Sequence, residues 1–473
     1  MKIIKLIIIL FMLISVLSAC GRNNDAAQIV PVIAGVPQTS EAIAPQVRAG
    51  YEIEATEVVL FTWWDGAEQE FGRALIADFE AVNSDIKVRQ NFIPFSGYIS
   101  TVNTMFAAGD TPDVFLAPGF RVIEWGEEGI GQDLTPHFNE TGIDPHIKWI
   151  DTALYTSGEN IWGISPALIT TVLFYNRELF AASGVASPLN NAAKPWSWDE
   201  FVQAARILTV DMAGLSPGDT GFDYDNVRQW GTVMPNSWIY VMSLLYAAET
   251  GIANDTGTRL LINQPDAIKA LQNMADLAHV HRSAPTFALT ETDVLGDLPA
   301  LLMERRLAMF IGATSLHSDF ANENFNVGVA QIPSMSGVGN NMVLSAGYML
   351  RADAEEQGFR LLMHISDFNN WVNTSRETNL ALTWLPQTNS VFDDPELNAA
   401  WVKEFDQVLA DVAGDILQNG SRVGENTTLR NFGIIMDQHL IPLFNRIWLG
   451  EVSAAYGMAE IEPVLRNLLA GAW

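Results

Sequence analysis

The chain has 473 residues, more than one hydrophobic core comfortably organises, so two lobes or domains are expected. Its 55 acidic residues outnumber 26 basic ones, and the formal charge of −29 argues against nucleic-acid binding, because phosphate requires basic patches. An acidic chain is also repelled by an anionic membrane surface, while 48% hydrophobic residues and 14 Trp are typical of a globular protein.

The N-terminus has the pattern of a secretory signal. Lys2 and Lys5 precede an uncharged apolar run over 7–17, which is too short to span a bilayer. The letters LSAC, ending in Cys20, resemble a bacterial lipobox. The resemblance implies a lipoprotein signal peptide of residues 1–19, cleavage before Cys20 and acylation of Cys20 by palmitate-type chains that hold the protein at a membrane surface. The alternative is an ordinary signal peptide with an incidental cysteine. Cys20 is the only cysteine, so no intrachain disulfide is expected.

Residues 20–56 are rich in Ala, Pro, Val, Asn and Gln and show no helical or alternating period. Together with the lipobox, this composition predicts a flexible, lipid-anchored tether. The globular part is expected to begin near residue 57.

Strand and helix patterns alternate at the start of the globular part. Strands are predicted over 58–62, 86–92 and 114–117, separated by helices over about 71–82 and 98–107. This order favours a parallel sheet with right-handed crossovers, in which ligands bind beyond the carboxyl ends of the strands. The residues at those ends are Trp63, Trp64, Asp65, Pro118, Gly119 and Arg121.

An apolar stretch over 160–185 lies far from both ends of the chain. Trp162 belongs to a predicted turn, and the β-branched run over 169–175 predicts a buried strand in a sheet covered on both faces. Asn176 is positioned to cap a helix over 177–184. We interpret this stretch as the place where the chain crosses between lobes, with Trp162 at the crossing.

The second half of the chain alternates in the same way. Helices are predicted over 198–208, 239–248 and 266–281, and strands over 229–234, 307–311, 327–330, 343–345 and 348–350. The part after about 355 is expected to be mostly helical. Turns and strand ends in this half carry Asn236, Ser237, Trp238, Thr314, Ser315, Gly347 and Tyr348, and Trp384 and Phe432 are further aromatic candidates.

Six segments resemble, in order and at about the same spacing, the sugar-binding group of the extracellular solute-binding proteins that feed ABC importers (family 1, maltose-binding-protein-like). They are GDTPDVFLAPG, LFYNRELFAASGV followed by WSWDEFVQAARIL, INQPDAIKALQNMADL, RRLAMFIGATSL, NVGVAQIPS and VLSAGYMLR. The resemblance covers roughly 57–473. It implies an α/β, two-lobed periplasmic-binding-protein-like fold (type II). Each lobe would be a mainly parallel sheet flanked by helices, with a ligand cleft between the lobes.

The resemblance also implies the division of the chain and the position of the site. Lobe 1 would comprise 57–168 and 345–395, and lobe 2 would comprise 169–344 and 396–473. The matching ligand contacts are Trp63, Trp64 and Asp65 after the first strand, a basic residue at Arg121, the cluster Asn236, Ser237 and Trp238, and the second crossing at Gly347 and Tyr348. Gly312-Ala313-Thr314 departs from the family's frequent Gly-Pro-Trp, which suggests a smaller or differently shaped ligand.

These residue types suit a sugar. A pyranose presents apolar C–H faces that match flat aromatic rings, and a belt of hydroxyls that match Asp, Asn and Arg. Trp162 and Trp238 add to that mixture, although any single Trp can equally be part of the core. We therefore expect a sugar or oligosaccharide in the cleft, closure around it, and delivery to an ABC permease, by a monomer without cofactor or enzymatic activity.

Other chemistry finds little support in the sequence. The G-x-S-x-G pattern at 214–218 is no nucleophile elbow, because Pro217 has no N–H to donate to an oxyanion. His279 and His281 point to different sides of a helix, so no metal site is expected. The acidic loop at Asp219, Asp223 and Asp225 lacks the EF-hand glycine and glutamate, which leaves calcium binding there as an open alternative to a solvated loop.

Three alternative functions stay open at this point. In the first, the cleft holds a polyol, a peptide or an amine. In the second, the protein is a sensor subunit that passes occupancy to a membrane kinase. The third alternative is an extracellular glycan-active enzyme. In each case the location is extracytoplasmic, either the periplasmic side or the outer cell surface.

Overall fold

The computed structural model describes residues 55–471 except 65, 189–193, 236, 255, 287–296, 379–383, 406, 420, 426–428 and 430. The predicted signal peptide, Cys20, nearly all of the predicted tether, Asp65 and Asn236 lie outside the described residues. None of the helices in the described ranges combines the length and apolar character that a membrane span requires.

The strands alternate with helices along most of the described chain. They are β1 Thr56–Thr62, β2 Ile86–Phe92, β3 Val114–Pro118, β4 Leu154–Ser157, β5 Asn160–Ile164, β6 Leu168–Asn176, β7 Val210–Asp211, β8 Val227–Gln229, β9 Met309–Ala313, β10 Val327–Ala330, β11 Asn341–Leu350 and β12 Ser421–Val423.

The helices of the first half are α1 Gly66–Val82, α2 Phe95–Ala108, α3 Gly119–Glu127, α4 Thr135–Thr141, α5 Pro145–Lys148, α6 Arg177–Ser183, α7 Trp198–Leu208 and α8 Trp238–Tyr246. Those of the second half are α9 Pro265–His279, α10 Leu298–Met303, α11 His317–Asn322, α12 Glu356–Ile365, α13 Phe368–Thr378, α14 Asn389–Asp393, α15 Pro395–Phe405, α16 Gln407–Asn419, α17 Phe432–Ile434, α18 Ile441–Trp448 and α19 Ala454–Leu469. A π-helical segment, Ile435–Leu440, joins α17 to α18.

The first sheet has the parallel arrangement that the sequence predicts. β1 lies between β2 and β3 and runs parallel to both, with Val58 opposite Val88 and Leu60 opposite Val114. The connections through α1 and α2 bring the carboxyl ends of the three strands to one edge. β3 is buried along its whole length, as expected for a strand covered on both faces.

β6 and β11 connect the two parts of the sheet. The first residues of β6, 168–170, pair antiparallel with residues 343–345 of β11, and we call this pair of segments the crossing ribbon. Beyond the ribbon β11 continues along β3, and β6 continues between β9 and β10. β11 is antiparallel to β3, and β6 is antiparallel to β9 and β10, because each ribbon strand enters its sheet from the opposite lobe. The mainly parallel sheet expected in each lobe is therefore found for β1, β2 and β3, whereas β11 pairs antiparallel with β3 and β5, and the described ladders of β6 with β9 and β10 are antiparallel.

Three details of the sequence interpretation are wrong. Trp162 lies inside β5 and not in a turn. The strand predicted over 229–234 is only Val227–Gln229, because its ladder partner β7 is two residues long. The two strands predicted over 343–345 and 348–350 are the single strand β11, since Gly347 is accommodated in the ladder opposite Ala117.

The core of the described residues forms three clusters. The largest continues across the ribbon, because it includes Val58 of β1 as well as Phe310 of β9. The buried members of one cluster all come from residues 173–468, and we call it the second-lobe cluster; Tyr246, Met274 and Trp448 belong to it. A smaller first-lobe cluster includes Tyr98, Phe115, Val122 and Trp125. The lobe boundaries predicted at 168/169 and 344/345 fall inside the ribbon. However, α15 packs on α13 and α14, beyond the boundary predicted at 395.

Candidate functional site

Trp63 follows β1 directly and lies at the carboxyl edge of the parallel strands. Its side chain is half-buried, and its ring meets the ring of Tyr98 edge-on with centroids 5.0 Å apart. Tyr98 is fully buried and donates a hydrogen bond to the carbonyl oxygen of Phe61 at 3.2 Å. Tyr98 thus supports Trp63, and the sequence pattern of α2 gives no signal that would have singled it out.

Trp64 and Tyr348 lie in the core. Trp64 is 5% exposed, and its ring lies 5.8 Å from Trp371 and 6.3 Å from Tyr348. Gly72 of α1 makes room for the Trp64 ring, because a Cβ there would lie closer than 3.0 Å to it. Tyr348 is 0% exposed, and burial, with smaller effects of Tyr98 and Glu68, raises the pKa of its phenol well above the usual range. These two rings support the edge from beneath rather than presenting an open face.

Trp162 lies against α3. Its ring occupies the space above Gly126, where a Cβ would come closer than 3.0 Å to the indole. The side chain is half-buried, and its Nε1 is buried without a hydrogen-bond partner among the described residues. Trp162 therefore combines a fixed position with an unused hydrogen-bond donor.

Pro118, Gly119 and Arg121 mark the passage from β3 into α3. Pro118 and Gly119 are buried, and Pro118 lies opposite Ala346 of β11. Gly347, the next residue of β11, is buried near Val122. The Nη1 of Arg121 pairs with the carboxylate of Glu124 at 2.6 Å, whereas its Nε is buried without a partner in the described part of the chain.

Trp238 and Ser237 begin α8 on the other side of the ribbon. Ser237 is the N-cap residue, and both residues are half-buried. The Trp238 ring meets Phe432 edge-on at 5.3 Å between centroids. α8 contacts β11, so this aromatic pair borders the same strand as the first-lobe residues. Asn236, the third member of the predicted cluster, is not among the described residues.

Thr314 and Ser315 follow β9 beside the ribbon. Thr314 is 1% exposed, and its Oγ1 accepts a hydrogen bond from the backbone N–H of Thr170 at 3.3 Å. Ser315 is half-buried. Thr314 thus ties the end of β9 to the ribbon, while Pro118 pairs with Ala346 of β11 on the first-lobe side.

Several buried polar atoms at or near the predicted site residues lack partners among the described residues. They are the Nε1 of Trp162, the Nε of Arg121, the phenol oxygen of Tyr348 and the Oγ1 of Thr62, which ends β1. A buried polar atom without a hydrogen bond costs about 1–3 kcal/mol, so proteins rarely retain one without a reason. Of these, the donors of Trp162 and Arg121 belong to half-buried side chains and suit an uncharged polyhydroxylated molecule, whereas Tyr348 is fully buried.

The described residues contain no cluster of three or more His, Cys, Asp or Glu side chains arranged to hold a metal ion. In the acidic loop, the carboxylates of Asp211, Asp219 and Asp223 accept hydrogen bonds from backbone N–H groups of the loop itself. These interactions give the acidic residues a structural role.

Comparison with known proteins adds to this geometry. The family model described as bacterial extracellular solute-binding protein matches residues 64–357, more than half of the chain. The galactooligosaccharide-binding protein of Bacillus subtilis is 22% identical over 382 residues, which cover 77% of this chain and 81% of that protein. Three Brucella proteins named as binding proteins are 24% identical over 263 residues; the match covers 54% of this chain and 58% of theirs.

Solved structures of similar shape are two-lobed. An ABC substrate-binding protein from Listeria monocytogenes in complex with cycloalternan has a TM-score of 0.70 at 20% identity, covering 89% of this chain and 100% of that one. The sugar-binding protein MalE from Xanthomonas citri has a TM-score of 0.70 at 18% identity, covering 88% and 98%. UgpB from Mycobacterium tuberculosis in complex with glycerophosphocholine has a TM-score of 0.69 at 18% identity, covering 88% and 99%.

At these identities the likeness shows the fold, which is the type II periplasmic-binding-protein-like fold expected from the sequence. The family and these neighbours are binding proteins and not enzymes. The match to the family model, together with the fold, leads to one conclusion: this chain belongs to the family of bacterial extracellular solute-binding proteins.

Proposed function

We propose that the protein captures a sugar or oligosaccharide between its lobes and delivers it to an ABC permease. The observation that carries the proposal is the combination, around the ends of β1 and β3, in β5 and at the start of α8, of half-buried indoles (Trp63, Trp162 and Trp238) with buried polar atoms that lack a partner among the described residues. Indole faces suit the C–H faces of a pyranose, and unpaired donors suit its hydroxyls. Binding by both lobes would favour the closed arrangement, which is the state a permease would recognise.

The relatives support a carbohydrate ligand. Curated relatives are named for galactooligosaccharides, arabinooligosaccharides, and melibiose, raffinose and stachyose. A neighbour with glycerophosphocholine keeps a non-sugar solute as the second candidate. The net charge of −29 disfavours a phosphate-bearing ligand, since the anion would meet a negative field.

The ligand is tested by titrating the protein with mono- and oligosaccharides, glycerophosphocholine, peptides and amines, following calorimetric heat and Trp fluorescence together. We expect saturable binding of at least one carbohydrate at micromolar or lower concentration, with no product detectable by chromatography. Binding of a non-sugar alone would replace the sugar in this proposal, and product formation would replace the receptor with an enzyme.

We further propose that the protein is a monomeric, extracytoplasmic receptor anchored to the membrane through acylated Cys20. Its partners would be the membrane and the ABC permease. Metabolic labelling with radioactive palmitate should mark the wild-type protein and not a Cys20→Ala variant, which should appear in the soluble fraction. Equal labelling of both would argue against the anchor. Co-purification with a histidine kinase in place of permease subunits would favour the sensor alternative.

A further inference from the structure

Phe120 is a first-lobe residue that reaches the second lobe. It is the second residue of α3 and is half-buried. Its side chain packs against the second-lobe cluster, whose buried members all come from residues 173–468. Among the described side chains that border this cluster, Phe120 is the one that precedes β6 in the chain.

The geometry of α3 explains why its own lobe does not bury Phe120. The buried residues of α3 are Gly119, Val122, Trp125 and Gly126, and they face the first-lobe cluster. Successive residues of an α-helix are rotated by about 100°, which places Phe120 on nearly the opposite side of the helix axis from that face. The apolar side chains that cover Phe120 therefore belong to the second-lobe cluster, which includes Met342 of the ribbon strand β11.

The contact lies beside the crossing ribbon. Phe120 comes two residues after Pro118, which is paired with Ala346 of β11. The guanidinium of Arg121 lies 5.8 Å from the centroid of the Phe120 ring. If the lobes separate, this ring is transferred to water, so its burial favours the arrangement in which the lobes touch.

We propose that Phe120 is an interlobe contact that stabilises the closed arrangement of the ligand-free protein. Its packing sets the fraction of ligand-free molecules that are closed. A ligand that requires the closed arrangement then binds with an apparent affinity proportional to that fraction. This role does not depend on whether the ligand is a sugar.

The lobe separation can be measured directly without ligand. Spin labels are attached at Ile147→Cys and Met212→Cys, whose native side chains are both 73% exposed. The full chain also carries Cys20→Ser, so that no other cysteine is labelled. Pulsed electron resonance then measures the distance between the two labels. We expect Phe120→Ala to broaden the distance distribution and shift it towards longer distances. The control is Ile123→Ala on the same helix, whose side chain packs on the first-lobe cluster, and it should leave the distribution unchanged.

Phe120→Leu keeps most of the apolar volume and should give an intermediate distance distribution. It keeps the test valid if the alanine variant misfolds, and circular dichroism checks the folding of both variants. Identical distributions for Phe120→Ala and the wild type would overturn the proposal. So would a loss of ligand affinity with an unchanged ligand-free distribution, because Phe120 would then be a ligand contact only.

Discussion

Trp162 illustrates how one residue's position depends on a neighbour without a side chain. The indole lies over Gly126, so the helix position that would ordinarily favour alanine has to be glycine. The sequence marks Trp162 as a candidate through its aromatic character, but nothing in the sequence pairs it with a glycine 36 residues earlier. Close approaches of this kind arise from tertiary packing and leave no local pattern.

Gly126→Ala should therefore destabilise the protein by about 1–3 kcal/mol, because the new methyl group overlaps the indole of Trp162. The measurement is urea unfolding monitored by Trp fluorescence. Gly97→Ala in α2 is the matched control: no atom lies within 4 Å of its Cβ position, and the change should be neutral or stabilising by up to about 1 kcal/mol. Equal effects of the two substitutions would contradict the close packing of Trp162.

Trp238 is the second-lobe aromatic with a defined partner in Phe432. If it forms a central contact to the ligand, Trp238→Ala should weaken binding by about 2 kcal/mol, or about thirtyfold, with little loss of folding stability. Calorimetric titration with the best ligand measures this change. Trp196→Ala removes an indole that stacks on Phe180 away from the ribbon and should preserve the affinity. An unchanged affinity in Trp238→Ala would return Trp238 to a packing role.

At the scale of elements, the local signals of the sequence predict most of the fold. Asn176 caps α6 as expected, its side chain accepting hydrogen bonds from the N–H groups of Glu178 and Leu179 at 3.0 Å each. Ser197 and Glu200 form a capping box at α7. Caps and periodicity are local, so they are legible in the chain. The antiparallel pairing of β6 and β11 with their neighbours depends on partners more than 100 residues away, so the sequence does not predict it.

The candidate site was predicted less completely than the fold. Position after a strand identified the edge that carries Trp63, but it could not distinguish Trp63, half-buried, from Trp64, which points into the core. Successive side chains after a strand point in different directions, and only packing decides which one is covered. The sequence does not single out Phe120 for the same reason, since the side chains that cover it belong to the second-lobe cluster.

The segment around Gln387 runs beside the ribbon. Leu385 pairs with Leu168, and the side-chain Nε2 of buried Gln387 lies within 2.9 Å of the carbonyl oxygens of Ser165, Pro166 and Ser366. Gln387→Leu removes the donor from these buried acceptors and should lower the free energy of unfolding by about 1–3 kcal/mol in urea denaturation.

The control for that experiment is Gln264→Leu, because Gln264 is exposed and its side chain bonds only to neighbouring Asn263 among the described residues. That change should lie within about 0.5 kcal/mol of the wild type. A Gln387→Leu protein as stable as the control would show that water or a shifted backbone satisfies the three carbonyl groups.

At the scale of the whole molecule, one histidine makes folding stability depend on pH. Burial lowers the pKa of His364, against smaller opposing effects of the Leu75 carbonyl, Asp78 and Asp367. Its Nε2 donates to the carbonyl oxygen of Leu75 at 3.1 Å, and burial outweighs the support that this bond gives to the protonated ring. Below about pH 6.5 the unfolded chain binds a proton that the folded protein resists, so this histidine's contribution to stability falls as the pH falls.

Urea unfolding at pH 7.5 and pH 5.5 tests this contribution. The wild type should lose more stability over that interval than His364→Gln, which retains a donor for Leu75 but does not titrate. Other titrating groups affect both proteins equally and cancel in the comparison. Identical losses in the two proteins would mean that His364 titrates in the folded protein as it does in the unfolded chain.

The crossing ribbon has a mechanical consequence for the whole molecule. Two strands held side by side by a hydrogen-bonded ladder resist sliding, because a shift of one residue would turn every side chain of the ribbon to the opposite face. The same pair of strands twists readily. We therefore expect the lobes to rotate about the ribbon and not to slide along it. Torsion would then be the motion that opens and closes the space between them.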